Sequence, residues 1–246
     1  MKTLFVLLLP FWLGASQITV AVAANLSDTI HDLVALFHAS HPNVRVRTII
    51  GSSGKLTAQI LHGAPYGLFL SADTDYPKAL ERRGFALSKP RVYARGTLAL
   101  LLPHGPAPTK GLTTLLDPSV HRIAIANPHT APYGKASQEA LEKTKLWEKI
   151  RDKIVFAESV GQTLTYTLKA ADAGLVAVSA LHSTRLRHFE EGKRWIRIDP
   201  TLYTPIDQAA VLLKKSEGRA DYRTFYEFLF STRAAKIFQR YGYLTP

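Results

Sequence analysis

Short apolar runs alternate with amphipathic stretches along most of this chain, and that rhythm restricts the fold more than any other feature. The runs at 18–22 (ITVAV), 44–50 (VRVRTII) and 68–71 (LFLS) have the length of strands, and the first two are rich in β-branched residues. Between them lie helical patterns over 26–38, with Ile30, Leu33, Val34 and Phe37 on one face, over 55–62, and over 76–83, closed by Gly84. Asn25 stands where an N-cap belongs, with Ser27 and Asp28 able to share the role. Strand, helix, strand, helix, strand is the signature of a parallel sheet covered by helices. The run 95–102 predicts a further strand, followed by the Pro- and Gly-rich link PHGPAPTKG and a short turn at 112–116. The rhythm then resumes with strands at 123–126, 154–156 and 174–179 and helices over 135–143 and up to residue 171. A last strand at 208–213 and a long amphipathic helix over 222–241 have no partners of their own. They are therefore expected to return to the first sheet. This gives an α/β chain of two lobes, each a mostly parallel sheet flanked by helices. One lobe comprises 17–100 and 208–246, the other 101–207.

The N-terminus, MKTLFVLLLPFWLGAS, has one Lys, an apolar run over 4–13 and the small residues Gly14, Ala15 and Ser16. That is the layout of a secretory signal peptide, expected over 1–16, and its apolar part is too short for a bilayer span. The chain contains no Cys, which excludes disulfides, thiolate metal sites and a lipid anchor on cysteine. An exported, unanchored protein of this kind suits the periplasm. The formal net charge of +12 raises nucleic acid, membrane surfaces and anionic ligands as partners. Its densest run, Lys143, Lys145, Lys149, Arg151 and Lys153, is interleaved with Glu142, Glu148 and Asp152, the pattern of a solvated helix face. Nucleic acid is not an expected partner after export.

Four strand-to-helix junctions carry polar or small groups: Asn25, Ser52-Ser53, Tyr133 and Ser159-Val160-Gly161. Ligands of open parallel sheets bind beyond the carboxyl ends of the strands. Helix starts there present unpaired N–H groups and a partial positive charge, which favour anions. Ordinary capping is the competing explanation for any one loop; four in one chain favour a ligand. GSSGK at 51–55 lacks the spacing of a Walker loop. Ser52-Ser53-Gly54 is not the G-x-S-x-G of a hydrolase, although nine His leave a triad through Ser53 open. His38 with His41, and His182 with His188, have no carboxylate at a metal-site spacing and read as surface residues.

The chain resembles the periplasmic molybdate-binding proteins of ABC transporters. The resemblance rests on VAVAANL at 20–26, GSSGKLTAQILHGAPYGLFLSAD at 51–73, TLALLLP at 97–103 and IANPHTAPYGKASQEAL at 125–141. It continues through AESVGQTLTYT at 157–167, GLVAVSAL at 174–181, DQAAVLL at 207–213 and the terminal QRYGYLTP. The resemblance implies a Venus-flytrap fold that closes on a tetrahedral oxyanion and passes it to a membrane permease. It implies oxyanion contacts at Asn25, Ser53, Tyr133 and Val160, with Ala24 beside them. These would touch the oxygens of molybdate or tungstate and would not be ligands of the metal. It further implies no cofactor, no catalysis and a monomer. A sulfate or other oxyanion carrier, a serine hydrolase and a module for anionic polymers are the alternatives. Two departures stand out: Gly67 replaces an Asp common in the family block, which suggests weaker order near Tyr66, and the chain is unusually basic. Lys55, in the first turn of its helix, is a candidate for steering an anion or for a solvated side chain.

Overall fold

The computed structural model describes residues 16–245. The expected leader lies outside the described residues except for Ser16, which opens the first strand and pairs with Val44. In chain order the elements are β1 (Ser16–Ala23), α1 (Thr29–Ser40), β2 (Val44–Gly51), α2 (Ser53–Leu61), β3 (Leu68–Leu70), α3 (Asp75–Arg82), β4 (Arg91–Gly96) and β5 (Leu98–Leu101). Then come β6 (Ile123–Ala126), α4 (Pro132–Lys143), α5 (Trp147–Ile150), β7 (Ile154–Ala157), α6 (Val160–Lys169), β8 (Ala173–Ala177), α7 (Val178–Leu181) and β9 (Trp195–Arg197). The chain closes with β10 (Ile206–Leu212), α8 (Ala220–Phe228) and α9 (Thr232–Arg240). Among the described residues no helix is long and apolar enough to cross a membrane.

Two five-stranded sheets result, in the orders β2-β1-β3-β10-β4 and β7-β6-β8-β5-β9. β1 pairs in parallel with β2 and β3, and β6 with β7 and β8. One strand in each sheet runs against both neighbours: β10 in the first and β5 in the second. These are the two strands by which the chain changes sheet. Parallel pairing needs helical crossovers, so the carboxyl ends of β1, β2, β6, β7 and β8 all open into loops that start helices.

Packing follows the two-residue period of the strands. Along β1, Ile18, Val20 and Val22 join a core with Phe37 of α1, Phe225 of α8 and Phe238 of α9. Ala21 points the other way, into a cluster with Leu56 and Ile60 of α2. The second sheet buries Leu98, Leu100, Ile123, Ile125 and Leu175, and the same cluster takes in Ala23, Ala24 and Ala72 from the first lobe. Apolar surface of the two lobes therefore meets where the strands end.

Several elements depart from the sequence expectation. The run 95–102 is two strands in different sheets, with the crossing at Thr97, so a lobe boundary at residue 100 would fall inside β5. Gly96 marks the break: a Cβ there would lie 2.1 Å from the hydroxyl of Tyr133. The terminal helix is two helices, because Ser231 caps a new start by accepting from the N–H of Ala234 at 3.2 Å. The apolar run after Gly174 bends into α7 at Val178, and β9 was not legible as a strand. The space beside Gly67 is filled by Tyr222, whose ring would lie 2.3 Å from a Cβ at that position. The Tyr222 hydroxyl accepts from the N–H of Thr19 at 2.9 Å. Tyr66 is buried and donates to Gln59 at 2.9 Å, so the loop is braced without the family Asp.

Candidate functional site

Two of the junctions are built alike. Ser52 is the N-cap of α2, its hydroxyl accepting from the N–H of Lys55 at 3.4 Å, and Ser159 caps α6 by accepting from Gln162 at 3.3 Å. Ser53 and Val160 are therefore the first helical residues, whose N–H groups have no acceptor within the helix. In α4, Pro132 occupies the first position, where its missing N–H costs nothing, and Tyr133 follows. Among the described residues, no other backbone or side-chain acceptor takes up the N–H of Ser53, Tyr133 or Val160.

Asn25 is not a cap. It lies in a 3-10 turn (Ala24–Leu26), and α1 starts later, after Asp28, without a side-chain cap. The Asn25 side chain instead turns inward, donating to Gln208 Oε1 at 2.8 Å and to the hydroxyl of Tyr243 at 2.9 Å. Its Oδ1 is buried without a partner.

Asn25, Ser53, Tyr133 and Val160, with Ala24, line one small cavity between the lobes. They are 4, 1, 1 and 6 % exposed, respectively, for the four named first. The rest of the lining is Ala23, Ser52, Ala72, Ala131 and Pro132, so no side chain of the wall carries a charge. The Ser53 hydroxyl accepts from the N–H of Ala72 at 3.0 Å, which leaves its own proton to donate. The Tyr133 hydroxyl accepts from Gln208 Nε2 at 3.4 Å, whereas its backbone N–H has no acceptor among the described residues. Burial pushes the Tyr133 and Tyr93 hydroxyls well above their ordinary pKa, and that of Tyr243 up to about 12. All three stay neutral.

The lobes are held across the cleft by specific contacts. The N–H of Gly54 donates to Thr130 O at 2.9 Å, and the Tyr76 hydroxyl donates to His129 O at 3.2 Å. Ser179, on α7, donates to the carbonyl of Asn25 at 2.9 Å. Lys55 pairs with Glu158 at 2.9 Å, both half exposed, in the wall of an outer pocket. Lys55 is thus neither free nor in the cavity wall. Gln208, Tyr93, Tyr243 and Ser179 are structural partners of the site for which the sequence offered only weak signals.

Beside Ala72, a second pocket is lined by Asp73 with Lys135, Glu139 and Asp207. Desolvation raises the Asp73 pKa from 3.8 to about 6, against hydrogen bonds from the Tyr76 N–H and Ser71 and the charge of Lys135 that lower it; Asp75 adds to the rise. An acid raised in the fold contributes stability that is fully present below its unfolded pKa and lost as pH rises through about 6. Asp73→Asn keeps the acceptor for Tyr76 and Ser71. It is expected to raise the melting temperature by a few degrees at neutral pH and by little near pH 4, as thermal denaturation across that range will read out. An equal effect at both pH values would contradict this.

Two α/β lobes joined by two crossing strands, with an uncharged, donor-lined cavity between them, define a solute-binding protein of the two-lobed type. The chain belongs to the family of bacterial extracellular solute-binding proteins, whose model matches residues 18–244. It is 34 % identical over 234 residues to the molybdate-binding protein ModA of Rhodobacter capsulatus, covering 94 % of this chain and 90 % of that one. Among solved structures it is similar to the periplasmic molybdate-binding protein of Azotobacter vinelandii. The TM-score there is 0.85 at 32 % identity, covering 93 % of this chain and 99 % of the other. The sulfate-binding protein SubI of Mycobacterium tuberculosis shares the fold, with a TM-score of 0.71 at 14 % identity over 93 % of this chain and 86 % of that one.

Proposed function

We propose that this protein captures molybdate, and with it tungstate, between its lobes in the periplasm and delivers it to an ABC permease. The observation that carries this reading is a buried cavity walled by helix starts and neutral donors with no charged side chain. A tetrahedral dianion there is held by charge-assisted hydrogen bonds from Ser53, Asn25 and the N–H groups of Tyr133 and Val160, each worth roughly 1.5–3 kcal/mol. Cations are not needed, because the helix starts already supply partial positive charge. The relatives named for molybdate span nearly the whole chain, which supports the same ligand here. We read the protein as a monomeric carrier that performs no catalysis, binds no nucleic acid and reaches the periplasm through a leader at its N-terminus. The lobes that close are proposed to exchange strands at Thr97 and ahead of β10.

Calorimetric titration with molybdate, tungstate, sulfate and phosphate tests the reading, with molybdate and tungstate expected to bind tightest. A ligand that binds only the folded protein also raises its melting temperature. Ser53→Ala should weaken molybdate by roughly 1.5–3 kcal/mol, one charge-assisted hydrogen bond. It also leaves the buried N–H of Ala72 without its acceptor, so melting temperature and affinity are to be read separately. Unchanged molybdate affinity in a folded Ser53→Ala variant would refute the site.

A further inference from the structure

The orphaned oxygen of Asn25 points to a function for Gln208. Gln208 is fully buried on β10 and sits among three groups of the site. Its Oε1 lies 2.8 Å from Asn25 Nδ2 and 3.0 Å from the Tyr93 hydroxyl, and its Nε2 lies 3.4 Å from the Tyr133 hydroxyl. This arrangement is poorly satisfied. Asn25 Oδ1 has no partner, and the single proton of Tyr93 faces two acceptors at 3.0 Å, Ser71 O and Gln208 Oε1. An amide turned half a revolution fills the same space with its oxygen and nitrogen exchanged, so hydrogen bonding decides between the two orientations.

Turning both amides resolves the conflict at Tyr93. Gln208 Nε2 then donates to Asn25 Oδ1 across the same 2.8 Å and to the Tyr93 hydroxyl across 3.0 Å, while Tyr93 donates to Ser71 O. The Tyr133 hydroxyl donates to Gln208 Oε1, and the Tyr243 proton, which faces the Asn25 carbonyl at 2.9 Å, is then shared with Asn25 Oδ1 at the same distance, while that carbonyl keeps the proton of Ser179. The one amide atom left without a protein partner becomes Asn25 Nδ2, a donor on a residue that lines the cavity, so an oxyanion, which only accepts, selects this orientation.

We propose that Gln208 is a positioning and specificity-determining residue: by donating to Asn25 Oδ1 it turns the Asn25 N–H₂ toward the bound oxyanion. The inference rests on the proposed oxyanion function. A cavity that presents donors only accepts a fully deprotonated tetrahedral anion. An Asn25 oxygen facing inward would supply the acceptor that a protonated oxyanion needs for its hydrogen. Gln208 also reaches Tyr133 of the other lobe, so the orientation is completed by the contact that joins the lobes.

The test titrates wild type, Gln208→Glu and Gln208→Met with molybdate and with hydrogen arsenate, under mildly alkaline conditions in which arsenate keeps one proton. A carboxylate at 208 only accepts, so it draws the Asn25 N–H₂ inward to itself and turns Oδ1 to the ligand. Molybdate affinity should fall roughly tenfold or more, and the ratio of molybdate to hydrogen arsenate affinity should fall as well. The added charge alone would weaken both anions together, so the ratio is the deciding readout. Gln208→Met, which orients nothing, should lie between. Should that variant fail to fold, the near-isosteric Gln208→Glu decides. Wild type that binds molybdate while Gln208→Glu keeps the ratio unchanged would overturn the role of Gln208 alone. Wild type that binds no oxyanion would overturn the proposed function and this inference together.

Discussion

Val160→Pro is expected to reduce molybdate affinity by roughly a hundredfold or more while leaving the fold intact. Val160 is the first residue of α6, a position where proline fits the helix and its missing N–H breaks no intrahelical bond. The preceding Ser159 is extended, with φ −147° and ψ 162°, as a residue before proline prefers. The backbone at this helix start therefore accommodates the substitution. What is lost is an N–H that no protein group accepts and that opens on the cavity. The loss removes a charge-assisted hydrogen bond of roughly 1.5–3 kcal/mol, and the ring carbon on nitrogen intrudes where an oxyanion oxygen would sit. Val160→Ala is the matched control. Its backbone donor survives, so affinity should change little, while the loss of buried methyl groups lowers stability by about 1.5 kcal/mol. Calorimetry and thermal denaturation separate the two effects. A folded Val160→Pro protein with wild-type affinity would remove Val160 from the site.

This contrast also shows what the sequence made legible. Strand-to-helix junctions are local, so Ser53 and Val160 could be placed at helix starts from periodicity and capping residues alone. Asn25 could not: a residue after a strand looks like a cap whether or not its side chain turns inward, and only the long-range contacts to Gln208 and Tyr243 decide. Gln208 itself stands in the run DQAAVLL, whose apolar content reads simply as a strand. The available signal was that a polar residue inside a buried run must find hydrogen-bond partners. The split of 95–102 was hidden for a similar reason, because both halves are strand-like and only Gly96, pressed against Tyr133 from the other lobe, marks the crossing. Gly67 looked like a defect because Tyr222, which fills its place, lies far along the chain.

Gly54→Ala is expected to uncouple binding from the stability of the ligand-free protein. A Cβ at position 54 would lie 2.8 Å from the carbonyl oxygen and 3.0 Å from the Cα of Thr130, which belongs to the other lobe, and 2.6 Å from the Tyr76 hydroxyl. The tyrosine can swing aside, but the Thr130 backbone cannot move without carrying its loop away from α2. That shift would break the bond from the Gly54 N–H to Thr130 O and displace the start of α4, where the Tyr133 N–H is presented. When the lobes are apart the clash does not exist, and alanine is the better helix former by roughly 0.5–1 kcal/mol. The ligand-free melting temperature should therefore hold or rise, while molybdate affinity falls roughly ten- to a hundredfold and the ligand-induced rise in melting temperature shrinks. Gly161 provides the comparison from the opposite side of the cleft. A Cβ there would meet Ala24 Cβ at 3.4 Å, an ordinary contact, so Gly161→Ala should close and bind nearly as wild type. Small-angle scattering with molybdate should show Gly161→Ala as compact as wild type and Gly54→Ala more extended. Equal affinity and equal compaction in the two variants would mean that the approach of Thr130 to α2 is not required for capture.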